Sequence, residues 1–279
     1  MLDLFAEYSV AATWATVGFV FCGSRDELMA SLPPEEARPS YADKSLSNYA
    51  YLDEIGRNEA EDPYYFGASL VDRILQTPRQ EIGTHTLSHY YCLEPGQNVE
   101  QFTADLKAAL WLAKQKGIVI KSIVFPRNQF SDPYLHACRA HGVHVYRGTP
   151  AQWAYHPVPG SHQTLLRRAG RLIDAHTGLL GSTTFGAENL KTSNVPASQF
   201  LRPTTGTLKP LHPLHRNVIK RGMSFAARQG RGYHLWWHPH NFGRDMEDNL
   251  SVLHDILVHF MRLQDSDGMQ SASMAEATT

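Results

Sequence analysis

The sequence predicts one α/β domain in which parallel strands alternate with helices. Short apolar runs alternate with amphipathic segments along the 279 residues, a pattern typical of strands joined by crossover helices. Capping residues separate the runs, as where Asn98 can begin a long helix and Gly117 can end it. The chain has no internal repeat and no long low-complexity linker. We therefore expect a single domain over residues 1–264 and a small, polar, disordered tail over residues 265–279.

The elements of the first half follow from apolar runs and their stop signals. Pro33 and Pro34 stop a short helix, and the polar stretch after them predicts an irregular excursion. In chain order we expect a helix over 2–8, a strand over 11–21, a helix over 25–32, the excursion over 33–65, a helix over 67–76 and a strand over 80–86.

The second half continues the alternation of strands and helices. In chain order we expect a helix over 98–116, a strand over 121–127, a helix over 132–140, a strand over 143–146, a helix over 164–176, an excursion over 179–211, a helix over 217–229, a strand over 233–238 and a last helix over 245–263. Long loops in compact domains are often functional, so we expect the excursion over 179–211 to roof the site.

Composition and charge narrow the classes of partner and compartment. A formal net charge of -1 gives no field that would attract nucleic acid or an anionic membrane. The apolar stretch over 10–22 is too short for a membrane span and lacks a basic segment before it. Cys22, Cys92 and Cys138 are spaced neither as a metal motif nor as a disulfide framework. These features predict a cytoplasmic protein with reduced thiols and no membrane span.

Two histidines stand directly after the predicted strand over 80–86. In His-Thr-Leu-Ser-His at 85–89 the imidazoles are four residues apart, which on a helical turn lets them share one divalent metal. Imidazole suits Zn2+, with Co2+ or Ni2+ as alternatives. The hydroxyls of Thr86 and Ser88 are candidates to support the turn or orient a ring. The alternative is a pair of surface or packing histidines, but sites in such folds gather at the carboxyl ends of strands.

This segment carries a family resemblance. Glu-Ile-Gly-Thr-His-Thr-Leu-Ser-His at 81–89 resembles the H-[ST]-x-x-H motif of the polysaccharide deacetylase family, also called the NodB homology domain or carbohydrate esterase family 4. The resemblance implies a distorted (β/α) barrel in which His85 and His89 bind the catalytic metal and Thr86 steadies the loop. It also implies hydrolysis of acetyl amides on sugars.

A second motif lies at the last predicted strand, in His-Leu-Trp-Trp-His-Pro-His at 234–240. Its Leu-Trp-Trp-His part resembles the family's late L-x-x-H motif, which implies that His238 is the general acid for the leaving amine. Strand alternation puts the four even-numbered residues on one face, so His240 is a possible substitute. We expect Trp237 and His240 to bind substrate. The alternative is a core strand whose histidines cap its polar end.

A third motif is less regular. Ile-Val-Phe-Pro-Arg-Asn-Gln at 123–129 lies where the family carries an Arg/Pro motif, but here the proline precedes the arginine. The resemblance implies that Arg127 orients the catalytic base, and the alternative is a surface cation at a turn. We expect Asn128 and Gln129 to line the substrate groove.

The family's first motif has no match in this chain. Family members begin with a strand carrying two aspartates, one the general base and the other the third metal ligand. Residues 2–14 resemble instead the helix and second strand that follow it, and Asp3 lies on that helix. We therefore expect an incomplete barrel of the NodB deacetylase type whose first strand is missing.

The resemblance implies a metal-dependent deacetylase that removes acetyl groups from N-acetylated sugars in glycan or surface polysaccharide metabolism, with activity impaired in this short chain. We expect an acetylated sugar or glycan as partner and no nucleic acid, and a homo-oligomer is left open. Two alternatives are a catalytically inactive deacetylase-like carbohydrate-binding or scaffold protein, and a hydrolase of the same fold that acts on non-sugar amides.

Overall fold

The computed structural model describes residues 1–204 and 206–279. The helices are α1 (Leu2–Glu7), α2 (Arg25–Ser31), α3 (Ala68–Gln76), α4 (Val99–Gln115), α5 (Asp132–Ala140), α6 (Leu165–Thr177), α7 (Ala187–Lys191), α8 (His212–Arg228) and α9 (Met246–Asp267). The strands are β1 (Ala12–Thr16), β2 (Gln80–Thr84), β3 (Ser122–Ile123), β4 (Val145–Tyr146), β5 (Gln199–Phe200) and β6 (Leu235–Trp236). Short 3-10 turns connect several of them.

Every strand pairs in parallel with its neighbours. One sheet has the order β1-β2-β3-β4, with Ala12 opposite Gln80 at the start of the longest pairing. A second sheet contains β5 and β6, also parallel. Parallel strands need crossover connections, and the helices between them supply these. The chain is therefore an α/β protein with parallel sheets, as its alternating pattern predicts.

The segment before β5 joins the two sheets by hydrogen bonds. The Val195 amide donates to the Tyr146 carbonyl at 2.9 Å, and the Ser198 amide donates to the His234 carbonyl at 2.8 Å. The excursion over 179–211 therefore contributes part of the wall between β4 and β6, where we expected it to roof the site. The reason is that buried backbone groups must be paired, and the edges of β4 and β6 pair them.

An opening separates β1 from β6. Within residues 1–204 and 206–279, no strand pairs with the second edge of β1 or of β6. A cavity of about 500 Å3, the β1–β6 cavity, is lined by both strands, by α9 and by the C-terminal tail. At one end its lining includes His85, Arg147 and His238, which follow the carboxyl ends of strands, so the opening leads to that edge of the sheets.

The tail differs from the expected disorder over 265–279. Helix α9 continues to Asp267, and the segment after it lies along β1. The Ala11 amide donates to Ser271 Oγ at 2.9 Å, and Met274 is 4% exposed, packed with Val124 and Val145. Small polar residues can follow a strand edge closely and satisfy its free backbone groups, which is why this polar tail packs.

Two apolar clusters hold the helices on the sheet. One cluster covers β2 and β3 with α3, α4 and α5, and the other joins α1, α8 and α9 around Phe5 and Phe260. The predicted helix beginning at Asn98 is confirmed, because its side chain accepts from the Gln101 amide at 2.8 Å. Strands are shorter than expected: the run over 11–21 is a strand only over Ala12–Thr16 and then turns into a 3-10 helix.

The three cysteines are buried and free of disulfides. In the two described stretches, none of the helices combines the length and the apolar character that crossing a bilayer would require.

Candidate functional site

His85 and His89 face each other at the carboxyl end of β2. Their ring centroids are 4.7 Å apart, with the planes at 66°. The segment between them is a loop, so the helical turn we expected is wrong. Thr86 and His89 have φ angles of 67° and 62°, in the left-handed region. These two positions turn the chain sharply, and the turn brings the rings together.

A buried carboxylate on α4 holds this loop. Asp105 Oδ1 accepts from the Leu87 amide at 2.7 Å, and Asp105 Oδ2 accepts from the Ser88 hydroxyl at 2.5 Å. Burial raises the pKa of Asp105 to about 6, although these hydrogen bonds act in the opposite direction. Within the loop, Thr86 Oγ1 accepts from the Tyr90 amide at 2.7 Å. The hydroxyls of Thr86 and Ser88 thus lie where supporting residues are expected.

Both imidazoles are anchored through one nitrogen. His85 Nδ1 lies 2.5 Å from the Val124 carbonyl oxygen and donates to it. His89 Nδ1 lies 3.0 Å from the Tyr91 hydroxyl oxygen. A carbonyl only accepts, so His85 Nδ1 is the donor and its Nε2 keeps a free lone pair. The tautomer of His89 that donates from Nδ1 to the Tyr91 hydroxyl has the same free Nε2, the arrangement that metal-binding histidines adopt.

The protonation state of the pair also suits metal binding. Burial lowers the pKa of His89 to about 4, and burial together with His89 lowers that of His85 well below its ordinary value. Both rings are therefore neutral at pH 7, which is the form that binds a metal.

The donor set fits a divalent metal only in part. Catalytic zinc sites hold the ion by three protein ligands and leave a further position for water or substrate. Among the residues described, no group of three or more His, Cys, Asp or Glu side chains is placed to hold a metal ion. The free Nε2 atoms of His85 and His89 therefore fit two ligand positions, and the described residues supply no third.

His238 joins this pair from the carboxyl end of β6. Its charge is one of the causes that lower the pKa values of His85 and His89, and His238 lines the same cavity as His85. The ring of His238 stacks on His240 at a centroid distance of 5.3 Å and meets Trp236 edge-on at 5.7 Å. Burial, followed by His240, lowers its own pKa below 6.5. His238 is solvent-exposed, as a residue that contacts substrate must be.

Arg147 is a site residue that sequence reasoning missed. It is 8% exposed, lies over the Trp236 ring at 4.2 Å and donates from Nη2 to Asn128 Oδ1 at 2.8 Å. Its Nε has no partner, and no carboxylate lies within 4.0 Å, among the residues that the structure describes. Burial lowers its pKa to about 9. The available signal was its place directly after the strand that ends at Tyr146.

The third motif is arranged differently from our expectation. Arg127, whose side chain is 43% exposed, pairs with Glu94 at 3.1 Å and lies over the Tyr91 ring at 4.3 Å. Gln129 is fully buried and donates from Nε2 to Glu94 Oε1 at 2.7 Å. The prediction that Gln129 lines the groove is therefore wrong, because its amide is used to hold Glu94. Asn128, the third predicted residue, supports Arg147.

Trp236, the last residue of β6, and Trp237, the residue after it, lie in different surroundings. Trp237 packs against Phe5 at 6.1 Å and stacks on Phe242 at 6.0 Å, within the cluster of α1 and α9. Successive residues of an extended segment point to opposite faces, so the Trp236 ring meets the His238 ring while the Trp237 ring packs on Phe5 and Phe242. Trp237 also lines the β1–β6 cavity, so its role in substrate binding stays a prediction. His240 is exposed and lies against His238.

The site therefore combines two neutral imidazoles that face each other, an exposed imidazole and a buried guanidinium. Searches of this chain against protein-family models, curated proteins and solved structures find no match.

Proposed function

We propose that this protein is a metal-dependent deacetylase of N-acetylated sugars. The observation that carries the proposal is the convergence of His85, His89 and His238 at the carboxyl ends of β2 and β6, with both Nε2 atoms of the first two rings free. Active sites of parallel α/β folds lie at this end of the strands. The resemblance of the 81–89 and 234–240 segments to the polysaccharide deacetylase motifs supports the same reaction.

The fold is compatible with this family. We infer that the two sheets form one incomplete (β/α) barrel, because hydrogen bonds connect β4 to β6 through the segment before β5. The opening lies between β1 and β6. From the resemblance we expect one further strand with two aspartates in this opening. A carboxylate on that strand would lie next to Arg147.

Two histidines would hold the metal. His85 and His89 would bind a divalent ion, Zn2+ with Co2+ or Ni2+ as alternatives, through their Nε2 atoms. Such an ion, when bound, polarises the acetyl carbonyl and stabilises negative charge on its oxygen. The Val124 carbonyl and the Tyr91 hydroxyl would keep the two rings in the required orientation.

His238 would carry the proton. Its lowered pKa makes the ring neutral at pH 7, so it can accept a proton before it donates one. As the water oxygen bonds to the acetyl carbon, His238 takes the water proton and the carbonyl electron pair moves to oxygen. When that pair returns, the carbon–nitrogen bond breaks and His238 protonates the departing nitrogen. The products are a free amino sugar and acetate.

Metal binding tests the first half of the proposal. Zinc titrated into the full chain against a chromophoric chelator should bind one ion per chain. His85→Ala and His89→Ala should each weaken binding by more than the roughly 10- to 100-fold that loss of a supporting partner costs. The matched control is His141→Ala, since His141 is exposed at the end of α5. Equal zinc affinity in all four proteins would contradict the proposal.

Acetate release tests the second half. With zinc present, the full chain should release acetate from N-acetylated chitooligosaccharides, and His238→Ala should lower the rate by about 10²- to 10⁴-fold. His136→Ala is the control, because His136 is exposed on α5 and should change the rate little. Failure to release acetate from any N-acetylated sugar would rule the deacetylase out.

One observation favours a second candidate, a carbohydrate-binding protein without catalysis. The described residues supply two metal donors and no carboxylate beside Arg147. This candidate predicts that the zinc-loaded chain binds chitooligosaccharides in calorimetry while releasing no acetate. Sugar binding together with turnover would exclude it.

A further inference from the structure

A second cavity lies beside the histidine site, near the carboxyl ends of β4 and β5. Its volume is about 220 Å3. We name it the arginine pocket, because the side chains of Arg127, Arg171 and Arg202 line it. Tyr155 and Trp236 form part of its wall, and within the described residues no aspartate or glutamate lines it.

Two of the three guanidinium groups have no acidic partner. Arg171 donates to the Ala154 carbonyl at 2.8 Å and to Gln163 Oε1 at 3.0 Å, and both acceptors are neutral. In the described part of the chain, neither Arg171 nor Arg202 has a carboxylate within 4.0 Å. The Nε atom of Arg202 is buried without a partner among these residues.

The nearest acids are engaged elsewhere. Glu94 pairs with Arg127 and also accepts from the Gly160 amide at 2.8 Å, so it neutralises only the outermost arginine. Asp174 accepts from the Tyr155 hydroxyl at 2.7 Å and from the Leu180 amide at 2.8 Å.

Holding these cations costs folding free energy. Burial lowers the pKa values of Arg171 and Arg202, which means that water solvates their charges poorly. The chain has 27 acidic against 26 basic residues, so acids were available to compensate a structural cluster. Desolvated like charges without ion pairs are retained where a ligand brings the opposite charge.

We propose that the arginine pocket binds a phosphate ester group of the sugar substrate. Two uncompensated guanidinium groups match the double negative charge of phosphate, whereas a carboxylate would neutralise only one of them. The planar fork of arginine also matches the spacing of phosphate oxygens. Anion binding by the pocket stands alone, but its role in substrate recognition rests on the proposed deacetylase function.

The pocket is placed to act on the same substrate as the histidines. Trp236 lines both the arginine pocket and the β1–β6 cavity, so one side chain separates the two. Arg127 also lies over Tyr91, which contacts His89. A phosphate in the pocket would therefore hold an N-acetyl sugar close to His238. Sugar phosphates, nucleotide diphosphate sugars and lipid diphosphate sugars share this group.

Titration calorimetry with inorganic phosphate tests the pocket without any activity. The full chain should bind phosphate more tightly than acetate, and Arg171→Gln and Arg202→Gln should each weaken phosphate binding by about tenfold. Arg168→Gln is the matched control, since Arg168 is exposed on the same helix. Arg171→Lys keeps the charge but not the fork if Arg171→Gln disturbs the fold, and it should weaken phosphate binding less than Arg171→Gln does. Phosphate affinity equal to acetate affinity, or unchanged in both glutamine variants, would overturn the proposal.

Kinetics separate this proposal from the proposed function. N-acetylglucosamine 1-phosphate or UDP-N-acetylglucosamine should show a KM about tenfold below that of N-acetylglucosamine. Arg202→Gln should raise that KM and leave the unphosphorylated sugar unchanged. Acetate release without preference for either phosphorylated sugar refutes the pocket's role and keeps the deacetylase. Phosphate binding without acetate release from any sugar refutes the deacetylase and keeps the pocket.

Discussion

Arg147 is a buried cation beside the histidine site, and its surroundings indicate a functional role. A guanidinium that is 8% exposed and has no carboxylate within 4.0 Å in the described part of the chain is costly to keep. Its contacts with Trp236 and Asn128 return only part of the lost hydration. A residue that weakens the fold and whose charge lowers the pKa values of His85 and His238 has the properties of a functional residue.

Arg147→Met should therefore stabilise the protein. Methionine fills a similar volume without a charge, so we expect the free energy of unfolding to rise by about 1 to 2 kcal/mol. Urea unfolding at pH 7 measures this free energy. Arg139→Met is the control, because Arg139 is exposed on α5 and its replacement should leave the free energy within about 0.5 kcal/mol. A marked loss of stability in Arg147→Met would mean that the arginine is structural.

Asp105 acts through the loop that it holds. Asp105→Ala would leave the Leu87 and Ser88 amides buried without acceptors, at a cost of about 2 to 4 kcal/mol. Asp105→Asn keeps one acceptor and should lose less stability. If Asp105 positions the histidine loop, zinc affinity should fall in the same order, with alanine below asparagine. Loss of stability with unchanged zinc affinity in both variants would show that the loop does not set the histidine geometry.

At the scale of elements, β1 depends on the C-terminal tail. The tail bonds to the strand through Ser271 and buries Met274 beside β3 and β4. This contact closes one end of the β1–β6 cavity, whose apolar lining would otherwise meet water. The tail is thus part of the folded domain.

Met274→Ala should destabilise the protein by about 2 to 3 kcal/mol, because it empties a buried position. Truncation after Gly268 should cost more, since the bonds of Ser271 to the strand are lost as well. Met29→Ala provides the comparison, with a methionine that is 44% exposed. Chemical denaturation of the three variants measures their free energies of unfolding. A truncated chain as stable as the full one would contradict the packed tail.

Helices could be predicted from the sequence more closely than strands. Asn98 and Thr164 cap their helices by side-chain bonds to nearby amides, and Gly178 ends α6 in the left-handed region, so each signal is local. The strands β3 to β6 have two residues each, and their limits are set by partners distant in the sequence. Periodicity shows which residues are apolar, but it does not show which edge will pair with them.

The same distinction holds for the candidate site at the scale of the whole molecule. Spacing and resemblance placed His85, His89 and His238 at the ends of predicted strands, and in the structure the first two follow β2 and the third follows β6. Arg147 and the arginine pocket escaped prediction because they consist of side chains from separate elements. Arg147 and two arginines of the pocket stand out because no carboxylate pairs with them among the described residues, and a local sequence pattern does not show which side chains will lie nearby.

The stability of the whole molecule should fall steeply in mild acid. Burial lowers the pKa values of His89, His215 and His234 to about 4, and that of His85 well below 6.5. Below pH 6.5 the unfolded chain binds protons at these histidines and the folded chain does not. A lowered folded pKa therefore gives stability that is present above pH 6.5 and is lost as the pH falls towards 4.

One buried acid works against this trend. The pKa of Asp105 is raised to about 6, so the folded chain takes up a proton there before the unfolded chain does, and stability rises as the pH falls. Four histidines against one carboxylate leave a net difference of about three protons, or about 4 kcal/mol per pH unit. The lowered pKa values of His212, His238 and His259 act in the same direction. Urea midpoints at pH 7, 6 and 5 should therefore decrease. His234→Gln should make the fall in the free energy of unfolding with decreasing pH shallower by about 1.4 kcal/mol per pH unit. His136→Gln, at an exposed position, should leave this slope unchanged. Midpoints that stay constant from pH 7 to 5 would mean that these histidines are not held neutral, and the argument that His85 and His89 are ready to bind a metal would fail with them.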